Sequence, residues 1–107
     1  MRSDVFVSQK ILVVDDDLEV TDTLEYHLKS QGYEVKAIND PLLFMGTARN
    51  MLPDLIILDV AMPELSGLQL CRMIKLDTTM KRIPIIFLNA KGNAEDSVKG
   101  FEAGADD

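Results

Sequence analysis

Two stretches of this chain put carboxylates where chemistry can use them. Asp15, Asp16 and Asp17 follow the apolar run Ile11-Leu12-Val13-Val14 without a break, and Asp59 follows Leu55-Ile56-Ile57-Leu58. Carboxylates held close together repel, and two outcomes relieve them: one acid takes a proton through a raised pKa, or a divalent cation binds. A solvent-facing site with oxygen ligands only suits Mg2+ with retained waters better than zinc. A third apolar run, Ile85-Ile86-Phe87-Leu88, ends at an amide, Asn89. The plainer role of an acid after a strand is to cap the next helix. That role fits Asp17, but Asp59 precedes a loop, Val60 to Ser66, with no helix start beside it.

Whether these acids meet depends on the elements between them. Short runs of Ile, Leu and Val alternate with longer segments of helical period, the sequence form of repeated βα units around a parallel sheet. After the first run, Val20, Leu24 and Leu28 recur at i, i+4 spacing, with Asp17 as N-cap and Gln31-Gly32 as the stop. Tyr33 to Ile38 alternates, with Tyr33, Val35 and Ala37 on one face and Glu34, Lys36 and Ile38 on the other, as in a strand near a sheet edge. Asn39-Asp40-Pro41 then opens a second helix, Asp40 capping it and Pro41 in its first position. Leu43 or Phe44, Ala48, and Met51 or Leu52 form its stripe, and Pro53 marks the exit. Leu55 to Leu58 is apolar on both faces, as a central strand is. A third helix carries Leu68, Cys71 and Ile74 or Lys75 and runs to about Leu76, with Gly67 supplying conformational freedom at its start. Pro84 introduces Ile85 to Leu88 as a fourth strand, also of central type, and Asn93 caps a last helix with the stripe Ala94, Val98, Phe101 and Ala105.

A parallel sheet covered on both faces binds ligands beyond the carboxyl ends of its strands, where the strand order reverses. In the flavodoxin-like order 2-1-3-4 the first and third strands are neighbours, about 5 Å apart, so Asp15, Asp16 and Asp59 converge.

The composition bounds the rest. A chain of 107 residues, 47% hydrophobic, holds one core and no second domain. Its single cysteine, Cys71, makes no internal bridge and points to a reducing, cytoplasmic setting, with the thiol itself in the core. No apolar run reaches the roughly 20 residues of a membrane span. Eleven basic residues against 18 acidic ones give a net charge of −7, and no basic cluster beyond Lys81-Arg82 exists, so direct nucleic-acid binding is not expected. His27 reads as a surface or boundary residue, and the six methionines as core filling.

The strings ILVVDDD, PDLIILDVAMPELSG, PIIFLNAKG and GFEAGADD, in this order, resemble the receiver domain of bacterial two-component response regulators from about Lys10 to Asp107. The resemblance implies a phosphoacceptor at Asp59, direct Mg2+ ligation by Asp16, ligation through water by Asp15, and a further ligand in the carbonyl of Ala61. It implies a sensor histidine kinase or phosphotransfer protein as partner. A carboxylate attacking a phosphoryl donor is a weak nucleophile opposed by like charge, so a cation that holds both oxygens makes chemical sense.

Two departures stand out. The family usually has Ser or Thr where this chain has Asn89, whose amide can donate to a phosphoryl oxygen but is longer. The family's fifth strand, Lys-Pro pair and fifth helix follow the GADD motif, whereas this sequence stops at Asp107, and Lys91 is not in the position to replace that lysine. The expectation is therefore a C-terminally incomplete receiver over residues 1–107, whose open fourth strand either pairs in a homodimer or swapped assembly through the fourth-strand and fourth-helix region or leaves the fold poorly stable. Three other functions compete: a receiver-like interaction module insensitive to phosphorylation, an aspartate-nucleophile phosphatase, and a flavodoxin-like electron carrier. The phosphatase would need an acid where Ala61 stands, and Asp15 to Asp17 would repel the phosphate of a flavin nucleotide.

Overall fold

A computed structural model describes residues 8–88. In chain order it contains β1 (Lys10–Val14), α1 (Leu18–Ser30), β2 (Glu34–Ile38), a 3-10 turn (Pro41–Leu43), α2 (Phe44–Met51), β3 (Leu55–Asp59), α3 (Gly67–Leu76) and β4 (Ile85–Leu88). The strands pair in parallel in the order β2-β1-β3-β4, the flavodoxin-like arrangement. Asn89 and the expected last helix, from Asn93 through Ala105, lie outside the described residues.

Alternation along the strands divides the core between the two faces of the sheet. Leu12, Val14, Ile56, Leu58 and Ile85 pack with Phe44 and Ala48 of α2 and with Leu70, Cys71 and Ile74 of α3. On the opposite face Ile11, Val13, Val35 and Ile57 meet Leu24 and Leu28 of α1. Central strands therefore need apolar residues on both faces, as Ile11 to Val14 of β1 and Leu55 to Leu58 of β3 supply. In β2 the alternation places Val35 and Ala37 under α1, while Ile38, on the other face, is buried in the larger cluster.

The open choices in α2 resolve by exposure: Phe44 and Met51 face the core, whereas Leu43 and Leu52 are exposed. Asp40 caps as expected, accepting from the Leu42 N–H at 3.0 Å, but the first turn after it is 3-10 and the α-helix starts only at Phe44. A tight first turn is a common way to satisfy groups that a helix end leaves unpaired. Helix α1 ends through Gly32, at φ 95°, whose N–H reaches the Lys29 carbonyl at 3.0 Å. β4 is less covered than a central strand, since Ile86 is 36% exposed. His27 is exposed on α1, edge-on to Tyr26.

Candidate functional site

The register places the acids. Val14 pairs with Leu58, so Asp15 and Asp59 are the next residues on adjacent strands, at the carboxyl edge of the sheet. Asp15 and Asp59 are buried and Asp16 is exposed, and ligand oxygens from all three lie within 4.8 Å of one another. Three residues singled out from sequence thus come together, Asp15 and Asp16 from the loop directly after β1 and Asp59 from the last position of β3.

The main chain around them is held from several sides. The Asp15 N–H donates to the Ile38 carbonyl at 3.2 Å, extending the β1–β2 ladder by one residue. One Asp15 carboxylate oxygen accepts from the Asp17 N–H at 2.9 Å, while the other, buried, has no hydrogen-bond partner among the described residues. Burial in the first place, then the neighbouring charge of Asp59, pushes the Asp15 carboxyl up to about 6, and the Asp17 N–H opposes the rise. Asp17 itself caps α1, its Oδ1 accepting from the Glu19 N–H at 3.0 Å.

Asp59 ends β3, and its Oδ1 accepts from the Ala61 N–H at 3.3 Å. The loop that follows is fixed by the Val60 N–H to the Leu88 carbonyl at 3.4 Å and by the Gly67 N–H to the Val60 carbonyl at 3.0 Å. Gly67 is needed for space and not, as the sequence reading had it, for conformational freedom. Its φ is not in the left-handed region, and a Cβ there would overlap the Asp59 carbonyl group. Ser66 and Gln69 close a capping box at the start of α3, each side chain accepting from the other's N–H.

Two buried or half-buried polar residues at the site escaped the sequence reading. The Asn39 side-chain amide donates to the Asp15 carbonyl at 2.9 Å and to the Thr21 Oγ1 at 2.8 Å, and that hydroxyl donates to the Leu18 carbonyl at 3.1 Å. In the sequence Asn39 reads only as part of a helix opening, and Thr21 stands between apolar positions of α1. The one available signal was an amide directly after an edge strand.

The donor set fits a divalent cation. Three carboxylates converge, all oxygen ligands, and one buried oxygen lacks any other partner among the described residues.

The sheet order, with acids gathered at the ends of β1 and β3, defines a flavodoxin-like signalling domain of the receiver type. Residues 11–107 match the response regulator receiver domain family, and the chain belongs to that family. It is 35% identical over 98 residues to the DNA-binding dual master transcriptional regulator RpaA of Synechocystis, covering 92% of this chain and 41% of the relative. It is 40% identical over 101 residues to the alkaline phosphatase synthesis transcriptional regulatory protein PhoP of Bacillus subtilis, covering 94% of this chain and 41% of the relative. The chain thus spans about two fifths of the length of these curated relatives. Among solved structures, the chemotaxis protein CheY4 of Vibrio cholerae superposes with a TM-score of 0.88 at 28% identity, covering 92% of this chain and 82% of that one. Among the described residues no helix is long and apolar enough to cross a membrane.

Proposed function

We propose that this receiver domain accepts a phosphoryl group on Asp59 from a histidine kinase or phosphotransfer protein, with Mg2+ bound at the neighbouring acids. The observation that carries the reading is the convergence of Asp15, Asp16 and Asp59, with a buried oxygen of Asp15 left unpartnered among the described residues. Asp16 would hold the ion directly, Asp15 through water, and the Ala61 carbonyl would add a ligand. Held by these residues, Mg2+ would supply Lewis acidity that offsets the negative charge of the reacting oxygens. Asp59 presents the nucleophile: its carboxylate forms the new bond to phosphorus as the bond from phosphorus to the donor nitrogen breaks, and the histidine leaves with that electron pair and takes up a proton. The Ala61 N–H on Oδ1 fixes the orientation of that carboxylate. The reaction is a single transfer onto the protein, so the domain is read as a signalling acceptor and not as an enzyme turning over external substrates.

Asn89, outside the described residues, is proposed to contact the phosphoryl group through its amide in place of the family's usual hydroxyl. This supports a second reading, a receiver-like interaction module insensitive to phosphorylation. A homodimer through the β4 region is proposed on the exposure of Ile86 on that strand, with sedimentation as its check. With a net charge of −7, direct binding to a phosphate backbone is not part of the proposed activity.

Incubation with acetyl phosphate tests the main reading. Acyl phosphate is expected on Asp59, dependent on Mg2+ and absent in Asp59→Ala. Label surviving in that variant overturns the assignment. Phosphorylation that leaves the amide spectrum unchanged in the wild type but not in Asn89→Thr would favour the second reading.

A further inference from the structure

We propose that Asn39 is a positioning residue for the acidic loop, setting the affinity of the Asp15-Asp16-Asp59 cluster for Mg2+ without touching the ion. The inference rests on the metal reading above and concerns a residue directly after β2, apart in the chain from all three acids.

The Asn39 amide nitrogen has two protons, and both are used. One goes to the Asp15 carbonyl at 2.9 Å and the other to the Thr21 hydroxyl at 2.8 Å. Thr21 is buried and passes the connection on, donating to the Leu18 carbonyl at 3.1 Å. A single side chain at the end of β2 is therefore connected to both ends of the Asp16-Asp17 segment: directly to Asp15 before it, and through Thr21 to Leu18 after it.

The geometry explains why this bears on the acids. The peptide joining Asp15 to Asp16 is planar, so the direction of the Asp15 carbonyl fixes the plane from which the Asp16 Cα departs. On its other side Asp15 is held by its own N–H to the Ile38 carbonyl at 3.2 Å. Strand β2 thus grips Asp15 at its N–H and at its carbonyl, leaving little rotation for the backbone that carries two of the three carboxylates. Three like charges gain nothing from one another without a cation and would swing apart if the loop were loose. Held in place, they present the site already formed, and the ordering cost is not met at binding.

Partners that orient metal ligands usually contribute about 10- to 100-fold in affinity when bonded to the ligand side chain itself. Acting one step further back, through the main chain, Asn39→Ala is expected to weaken Mg2+ binding about three- to tenfold. Thr21→Val, which removes only the second anchor, should shift affinity the same way by less.

The test is Mg2+ titration of the chain by calorimetry and by backbone amide shifts at 10 °C. Leu28→Ala serves as the comparison, because it loosens the packing of α1 against the sheet without touching the acidic loop. Weaker binding in Asn39→Ala alongside an unchanged Kd in Leu28→Ala supports the proposal. Wild-type affinity in Asn39→Ala, or an equal loss in Leu28→Ala, overturns it. If Asn39→Ala does not fold, Asn39→Ser gives the same readout, being too short to span both oxygens. Should the wild type itself bind no Mg2+, the metal reading fails and this inference with it, whereas binding that Asp16→Ala abolishes and Asn39→Ala leaves intact overturns this inference alone.

Discussion

Gly67 lies directly against the main-chain carbonyl of Asp59. A Cβ placed on it would overlap that oxygen and stand 2.9 Å from the carbonyl carbon and 3.1 Å from the Val60 Cα. The obstructing atoms are backbone at the end of β3, which cannot swing aside as a side chain could. Gly67→Ala is therefore expected to displace either the start of α3 or the Asp59 peptide. A loss of about 1–3 kcal/mol, typical of overpacking, should appear in chemical denaturation. Phosphorylation of Asp59 by acetyl phosphate should slow in the same variant even at temperatures where it is folded. Wild-type stability and rate together would show that the contact is relieved without consequence.

Ser66, one residue earlier, sets where α3 begins. Its hydroxyl accepts from the Gln69 N–H at 3.2 Å, and the Gln69 side chain accepts from the Ser66 N–H at 2.9 Å. Ser66→Ala removes half of this box and should cost about 1 kcal/mol. Gln69→Ala should cost less than Ser66→Ala, and the double variant should fall short of the sum, because both act on one structure. Thermal melts of the three variants check this.

What sequence could convey about this site follows from the range over which each feature acts. The acids were legible because each directly follows an apolar run, and a parallel sheet with β1 beside β3 brings such ends together. Caps at Asp17 and Asp40 were legible for the same local reason. Asn39 and Thr21 were not, since their roles arise from partners 24 and 18 residues apart in the chain, fixed only once β2 lies beside β1. Gly67 was seen but misread: a missing side chain looks the same in sequence whether it serves a positive φ or a close approach. The 3-10 turn at Pro41 differs from an α-helical start by a single hydrogen-bond register, which residue types do not distinguish.

Leu52 carries a conformation that leucine dislikes. It caps α2 at φ 48° and ψ 67°, in the left-handed region, and its N–H bonds to the Ala48 carbonyl at 2.8 Å. Its side chain is 54% exposed, so little packing offsets the strain. Replacing it by glycine relieves a cost of about 1 kcal/mol, part of which the added freedom of the unfolded chain takes back. Leu52→Gly is expected to be stabilising by a few tenths of a kcal/mol, about 0.5 at most, with Mg2+ binding unchanged. A lower melting temperature would mean that the leucine side chain contributes packing its exposure does not suggest.

The raised pKa of Asp15 gives the protein a pH dependence of defined sign. In the folded chain this carboxyl holds its proton up to about pH 6, against 3.8 for the unperturbed group. Below the lower value both folded and unfolded chains are protonated there, and the group has no effect on the difference. Between the two values the folded state binds more protons than the unfolded one, so stability falls as pH rises; above about 6 the loss is complete. Asp15→Asn keeps an oxygen for the Asp17 N–H but removes the charge, and in Mg2+-free buffer it should be more stable than wild type at pH 7.5 by on the order of 2 kcal/mol. That advantage should shrink steadily toward pH 4. Added Mg2+ should raise the stability of the wild type at pH 7.5 and do little for Asp15→Asn, because binding to the folded state stabilises only a chain whose site is intact. Urea denaturation of both proteins across this range, with and without Mg2+, measures all three effects. Parallel stability curves for the two proteins would mean that Asp15 ionises as freely in the folded chain as in water and that its burial at the end of β1 is relieved by something other than a proton or a cation.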